Sequence, residues 1–223
     1  MTAVLNEESA VRNDTLSDQA YQRLHRSLMT GGLLPEQVLT VRGLAEAYGV
    51  SLTPVREAIQ RLVAEHALVV ENGRTIRVPR LDVETYREIL KIRLELEPMA
   101  ARDAAVRMDN AEMDRVEALA HLHREAIVAG EAHRTLAANT DFHISIYRAS
   151  QQPVLTGLIE SLWLRIGPTL NLLFPTYCGS LTGVEMHLEA VDALRRRDGD
   201  ALARAVRDDL AHGSRFLVRL LKP

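Results

Sequence analysis

The stretch Val50-Ser51-Leu52-Thr53-Pro54-Val55-Arg56-Glu57-Ala58-Ile59-Gln60-Arg61-Leu62 constrains this chain more than any other. Pro54 sits well at the first position of a helix, where its missing N–H has no partner to lose, so a helix is expected to begin here, with Thr53 as its cap. Val55, Ala58, Ile59, Leu62 and Val63 then form one inward stripe. At 100° per residue Thr53, Arg56 and Gln60 share the flank beside it, a compact polar group suited to the edges of bases.

The segments on either side fit a reading helix. Ser17 is expected to cap a helix through Ala20, Leu24 and Leu28 that Gly31-Gly32 ends, and Thr40 to cap a short helix from Val41 to Tyr48 that stops at Gly49. Two short helices joined by a tight turn make a helix-turn-helix. Asn72-Gly73, between the β-compatible runs Leu68–Glu71 and Thr75–Val78, is a strong hairpin signal and adds a wing that carries Arg74.

In this order the elements closely resemble the DNA-binding domain of the GntR family of bacterial transcription regulators. The resemblance implies that the third helix enters the major groove of double-stranded operator DNA, with contacts from Arg42, Thr53 and Arg56, while the wing touches the backbone or minor groove. Leu52 stands where many members carry Arg, and Thr75 where a Gly is usual. Charge agrees with a reader at the front of the chain: 17–80 carries eight Arg against six Asp or Glu, whereas the chain as a whole is at −3. That total disfavours an architectural protein that coats DNA without selection.

Beyond Pro79 nearly every segment reads as helix: about 83–108, 110–129, 132–149, 153–174, 183–197 and 200–221, broken at Gly130, Gln151-Gln152-Pro153, Pro175 to Thr182 and Asp198-Gly199. The expected fold class is therefore mainly α, with a flexible tail over 1–15, a winged helix-turn-helix domain over 16–80 and an all-helical bundle over 81–223. Cys178 stands alone, which excludes an internal disulfide, and neither a signal peptide nor a run of 18 apolar residues is present, so a cytoplasmic protein with no membrane contact is expected.

Three of the eight histidines lie on inward stripes of that bundle: His143, which shares a face with Asn139, His187 and His212. Singly, each reads as a hydrogen-bonded core residue. Together they could converge as four ligands, with imidazoles suited to zinc or nickel. Residues 83–221 also resemble the FCD ligand-binding domain of the FadR subgroup, through Asn139-Thr140-Asp141-Phe142-His143, through His187 in Met186-His187-Leu188-Glu189-Ala190, and through His212. This resemblance implies a divalent metal held by Asn139, His143, His187 and His212, with Asn replacing the commoner Asp. It also implies a homodimer formed through the helical domain. Asp141 points about 200° away from His143, and His25, His66, His121, His123 and His133 read as solvated or structural.

Arg93, Trp163 and Arg165 are the candidates for contact with a small carboxylate effector. An arginine turned inward needs an anion, which here is Glu97, Glu160 or a bound acid. The chain has no Gly-rich phosphate loop, nucleophile motif or His-Glu-x-x-His pattern, so the competing metal-dependent enzyme lacks a general base beside its ligands. The sequence thus points to a ligand-responsive regulator, a repressor of a catabolic operon sensing a small organic or sugar acid, with coupling expected at the Val78 to Val83 connection.

Overall fold

The computed structural model describes residues 15–174 and 182–221. The expected tail, apart from Thr15, lies outside the described residues, as do Cys178 and the part of the expected break over 175–181.

Helix α1 (Leu16–Met29) is capped by Thr15 and not by Ser17. The Thr15 hydroxyl accepts from the Asp18 N–H at 3.1 Å, and the Asp18 carboxylate accepts from the Thr15 N–H at 3.3 Å. Ser17 could not close such a box, because the residue three further on is Ala20. Strand β1 (Val38–Leu39) leads into α2 (Val41–Tyr48), whose cap is Thr40, accepting from the Gly43 N–H at 3.0 Å. Gly49 ends α2 with φ +69°, a conformation that carries no steric penalty for glycine.

Helix α3 (Leu52–Ala64) begins earlier than the proline rule suggested: Ser51 takes the cap position, and Thr53 and Pro54 are its second and third residues. Pro54 still loses nothing, since the first four N–H groups of a helix have no intrahelical partner. Strands β2 (Val69–Glu71) and β3 (Thr75–Arg77) form the wing, turning through Asn72 (φ +50°) and Gly73 (φ +67°). The sheet is antiparallel in the order β1-β3-β2, with Val38 and Val69 both opposite Arg77. Leu24, Leu28, Leu39, Val55, Ile59, Leu62, Leu68 and Ile76 close the core between sheet and helices.

The carboxy-terminal part is the expected bundle: α4 (Val83–Arg107), α5 (Asn110–Val128), α6 (Ala132–Ala149), α7 (Pro153–Ile166), α8 (Thr182–Arg195) and α9 (Gly199–Leu220). Helix α9 packs along α4 and α8, while α5 packs against α6 and α8. The long helix expected over 153–174 breaks at Gly167, where the chain passes into a 3-10 turn (Gly167–Leu173). Pro168 accounts for the break, because it has no N–H to donate to the Leu164 carbonyl and its ring crowds that carbonyl. No helix among the described residues is long and apolar enough to cross a membrane.

The end of α1 is docked on the bundle. A Cβ at Gly167 would lie 2.2 Å from the Leu28 carbonyl oxygen, so only glycine permits this approach. The Asn171 amide donates to the Gly31 carbonyl at 2.9 Å, and Thr140 Oγ1 on α6 lies 3.0 Å from the Met29 carbonyl it can donate to.

Candidate metal centre and DNA-reading face

Arg42, Thr53, Arg56, Gln60 and Arg74 are all exposed, three of them on α3 and one each on α2 and the wing. The buried stripe of Val55, Ala58, Ile59 and Leu62 turns the Thr53, Arg56 and Gln60 flank outward. Arg42 is paired at 2.9 Å with Glu46, whereas Arg56 and Arg74 make no ion pair among the described residues. Leu52 is exposed beside them.

Within the bundle the structure brings His143 on α6, His187 on α8 and Asp209 on α9 together, their ligating atoms all within 4.8 Å of one another. His143 Nε2 lies 3.1 Å from Asp209 Oδ2 and 3.3 Å from His187 Nε2. His212, expected in this set, is half-buried and stacked on Phe216 with ring centroids 5.7 Å apart. His212 lies three residues and about 60° round the helix from Asp209, and among the described residues it is the Asp209 carboxylate that falls within 4.8 Å of both imidazoles. Asn139 lies one turn before His143 and lines the same cavity as His143 and Asp209.

The chemistry of the centre follows from what holds His143. Tyr147 O–H donates to Glu97 at 2.6 Å, which leaves the phenol oxygen to accept from His143 Nδ1, 3.1 Å away. With its proton on Nδ1, His143 presents the Nε2 lone pair to Asp209 and His187. A carboxylate and two imidazole nitrogens turned on one point need a positive charge between them, and a divalent metal ion or a proton can supply it. These donors fit a nitrogen- and oxygen-binding ion such as zinc or nickel. When a proton and not a metal ion sits between them, His143 Nε2 donates to Asp209; burial pushes the Asp209 carboxyl up, but that hydrogen bond and the nearby imidazoles outweigh it and hold the carboxyl below its ordinary value. Burial drives His187 well below the ordinary imidazole value, as a neutral ligand requires, with Asp209 opposing.

Arg93 is buried and bound to Glu97, Nε to Oε1 at 2.5 Å, so the internal anion is Glu97 and not Glu160. Trp163 Nε1 donates to the same carboxylate at 3.0 Å, and the guanidinium lies 4.7 Å from the centre of the Trp163 ring. Arg93 and Trp163 line the cavity that holds His143; Arg165 does not, and Glu160 instead pairs with Arg148 at 2.7 Å.

Sequence reasoning missed three parts of this centre. Asp209 continues the buried stripe of Leu202 and Val206, and that spacing was the available signal. His123, read as structural, is buried on α5 with Val116 and Ala120, its ring 4.5 Å from that of His187. Burial lowers its value to about 4. Glu97 is one of the partners expected for Arg93, but its link through Tyr147 to His143 carried no local signal, because it forms only when α4 and α6 pack together.

Comparison with known proteins agrees with this fold. Residues 16–78 match the profile described as bacterial regulatory proteins, gntR family, and residues 88–212 match the FCD domain. The HTH-type transcriptional regulator McbR of Escherichia coli K12 is 34% identical over 164 residues, which is 74% of this chain and 74% of that protein. The HTH-type transcriptional repressor RspR of the same organism is 24% identical over 195 residues, 87% of this chain and 86% of the relative. The solved structure of E. coli McbR/YncC superposes with a TM-score of 0.86 at 30% identity, covering 92% of this chain and 98% of that one. The winged helix, the FCD bundle and these relatives together show that the chain belongs to the GntR family of DNA-binding transcription regulators, among those that carry an FCD domain.

Proposed function

We propose that this regulator is a metal-containing repressor of a catabolic operon, acting in the cytoplasm as a homodimer on double-stranded operator DNA and responding to a small organic or sugar acid. Residues 16–80 read the DNA through Arg42, Thr53, Arg56, Gln60 and Arg74, and 81–223 hold the effector and the dimer contact. The observation that carries the sensing half is the convergence of His143, His187 and Asp209 at the wall of a cavity, lined by His143 and Asp209, whose empty space is no more than about 700 Å³. That bound suits a small molecule and not a macromolecule. His143, His187 and Asp209 hold zinc or nickel, with Asn139 at the same cavity wall.

A bound divalent ion supplies a Lewis-acidic centre that attracts a carboxylate oxygen. The chain's own residues do the rest: Tyr147 and Glu97 keep the His143 Nε2 lone pair directed at the site, and Arg93, already neutralised by Glu97, forms a polar wall with Trp163. Dimerisation is supported by the symmetry of operator sites, because one short helix reads too few bases for selective binding. A name such as RspR's supports the repressor reading for this chain.

Elemental analysis of gently purified protein tests the centre. About one divalent ion per chain is expected, with chelation lowering the melting temperature of the wild type and leaving His187→Ala nearly unmoved, since an ion bound only by the folded state stabilises it by mass action. Absence of metal together with no chelator effect would return these side chains to the core.

A further inference from the structure

Two buried polar atoms in the cavity wall have no partner: Nδ1 of His123 and Oγ1 of Thr135. Thr135 is 1% exposed and His123 5%. A buried polar group left unpaired costs about 1–3 kcal/mol, so two on residues that line one cavity call for an occupant that satisfies them. Neither is a member of the His143, His187 and Asp209 cluster. A threonine hydroxyl and an imidazole nitrogen each pair well with a neutral hydrogen-bonding group such as a hydroxyl.

Their placement adds a distance. Thr135, Asn139 and His143 follow one another at four-residue spacing on α6, a polar rail facing the apolar wall of Leu170, Leu173 and Leu217. Thr135 and His143 are eight residues apart, about 12 Å along the helix. A ligand whose carboxylate sits at the His143 end reaches Thr135 roughly four to six carbon atoms further on, once the reach of both side chains is taken off.

We propose that Thr135, two helical turns from His143, is the hydroxyl-recognising end of this cavity, with His123 beside His187 offering a second unpaired nitrogen from the α5 side, so that the ligand of this cavity is an acid hydroxylated towards its far end. The inference rests on the sensing role proposed above. Thr135 accepts from or donates to the distal hydroxyl, and His123 Nδ1 pairs with a second polar group from the α5 side. Apolar acids of the same length leave both atoms unpaired and bind less well.

The test uses three acids of the same six-carbon length, hexanoate, 6-hydroxyhexanoate and gluconate, titrated by calorimetry into zinc-loaded full-length protein. For wild type, at least one hydroxylated acid binds about tenfold more tightly than hexanoate, the ratio one net hydrogen bond gives. In Thr135→Val that ratio falls to near one, without loss of hexanoate affinity. The ligand-free Thr135→Val and His123→Phe proteins melt at or above the wild-type temperature, because each replaces an unpaired polar group with an apolar one. Hexanoate binding as tightly as both hydroxylated acids would overturn the subsite and leave the sensing role standing. No binding by any of the three acids would count against both. Ligand-free variants that melt well below wild type would make the two residues structural, and loss of zinc from His123→Phe would make His123 a metal ligand instead.

Discussion

Asp141 on α6 accepts both terminal N–H groups of Arg26 on α1, at 2.5 and 2.7 Å, two residues before His143 on the same helix. The helix that presents the central imidazole to the cavity therefore also grips the first helix of the DNA-reading unit. Thr140, between them, lies 3.0 Å from the Met29 carbonyl. The connection from Val78 to Val83 is thus not the sole link between the two parts, and a shift of α6 reaches α1 without passing through it.

The ion pair is half exposed, at 59% for Arg26 and 30% for Asp141, so its contribution to stability is modest. A double-mutant cycle with Arg26→Ala and Asp141→Ala in urea denaturation should give a coupling of about 0.5–1 kcal/mol. A larger share of the effector's influence on operator affinity should disappear in either variant. Full retention of that influence in both would remove the pair from the coupling route.

Gly167 and Gly157, both in the segment 153–173, provide a matched pair of opposite sign. An added Cβ at Gly167 meets the Leu28 carbonyl, and Gly167→Ala should destabilise by about 1–3 kcal/mol through forced undocking of α1. Gly157 lies inside α7 with open space around it, and Gly157→Ala should stabilise by up to about 1 kcal/mol. Thermal melting of the two variants decides it, and equal shifts in one direction would contradict the docking described here.

For DNA, Arg56→Ala should remove a base contact, costing about 1–3 kcal/mol per half-site and relaxing base preference at that position. Arg74→Ala should weaken all sequences alike and reduce the slope of log affinity against log salt by about one. Fluorescence anisotropy against operator and scrambled duplexes at several salt concentrations separates the two. Wild-type affinity for Arg56→Ala would show that α3 does not dock through this flank.

The buried Arg93, Glu97 and Tyr147 network should be costly to break. Glu97→Gln leaves a guanidinium without its carboxylate and should destabilise by about 3–5 kcal/mol. Tyr147→Phe removes only the hydroxyl and should cost about 1 kcal/mol, yet lower metal affinity by roughly 10–100-fold, because His143 loses the partner that fixes its proton on Nδ1. Unchanged zinc affinity in Tyr147→Phe would separate this network from the metal centre.

Features written in local chemistry were legible from the sequence. Thr40, Gly49 and the Asn72-Gly73 turn act within a few residues, and each sits where such residues act. Misplaced or missed features needed a partner distant in the chain. The α1 cap is the local exception, since Thr15 and Ser17 are both capping residues and only the reciprocal bonds between Thr15 and Asp18 decide for Thr15, whereas β1 has only two residues, defined by pairing with β3 some 38 positions on. Of the centre, His143 and His187 were visible as inward histidines. Asp209 sits beside Asp208 on a helix with much exposed charge, where its spacing from Leu202 and Val206 is a faint signal until α9 packs against α4 and α8 and turns it inward.

The central claim is that the cavity and the operator-binding face are thermodynamically linked, and reciprocity tests it most directly. The operator is selected from random duplex DNA by the purified protein, and the acid is whichever of a carboxylate panel raises the melting temperature of zinc-loaded protein most. Operator affinity is then measured with and without saturating acid, and acid affinity with and without operator. The two ratios should be equal and differ from one by about 5–150-fold, and the linkage should vanish in His187→Ala. Acid binding that leaves operator affinity unchanged, or an effect that persists undiminished in His187→Ala, would contradict the account.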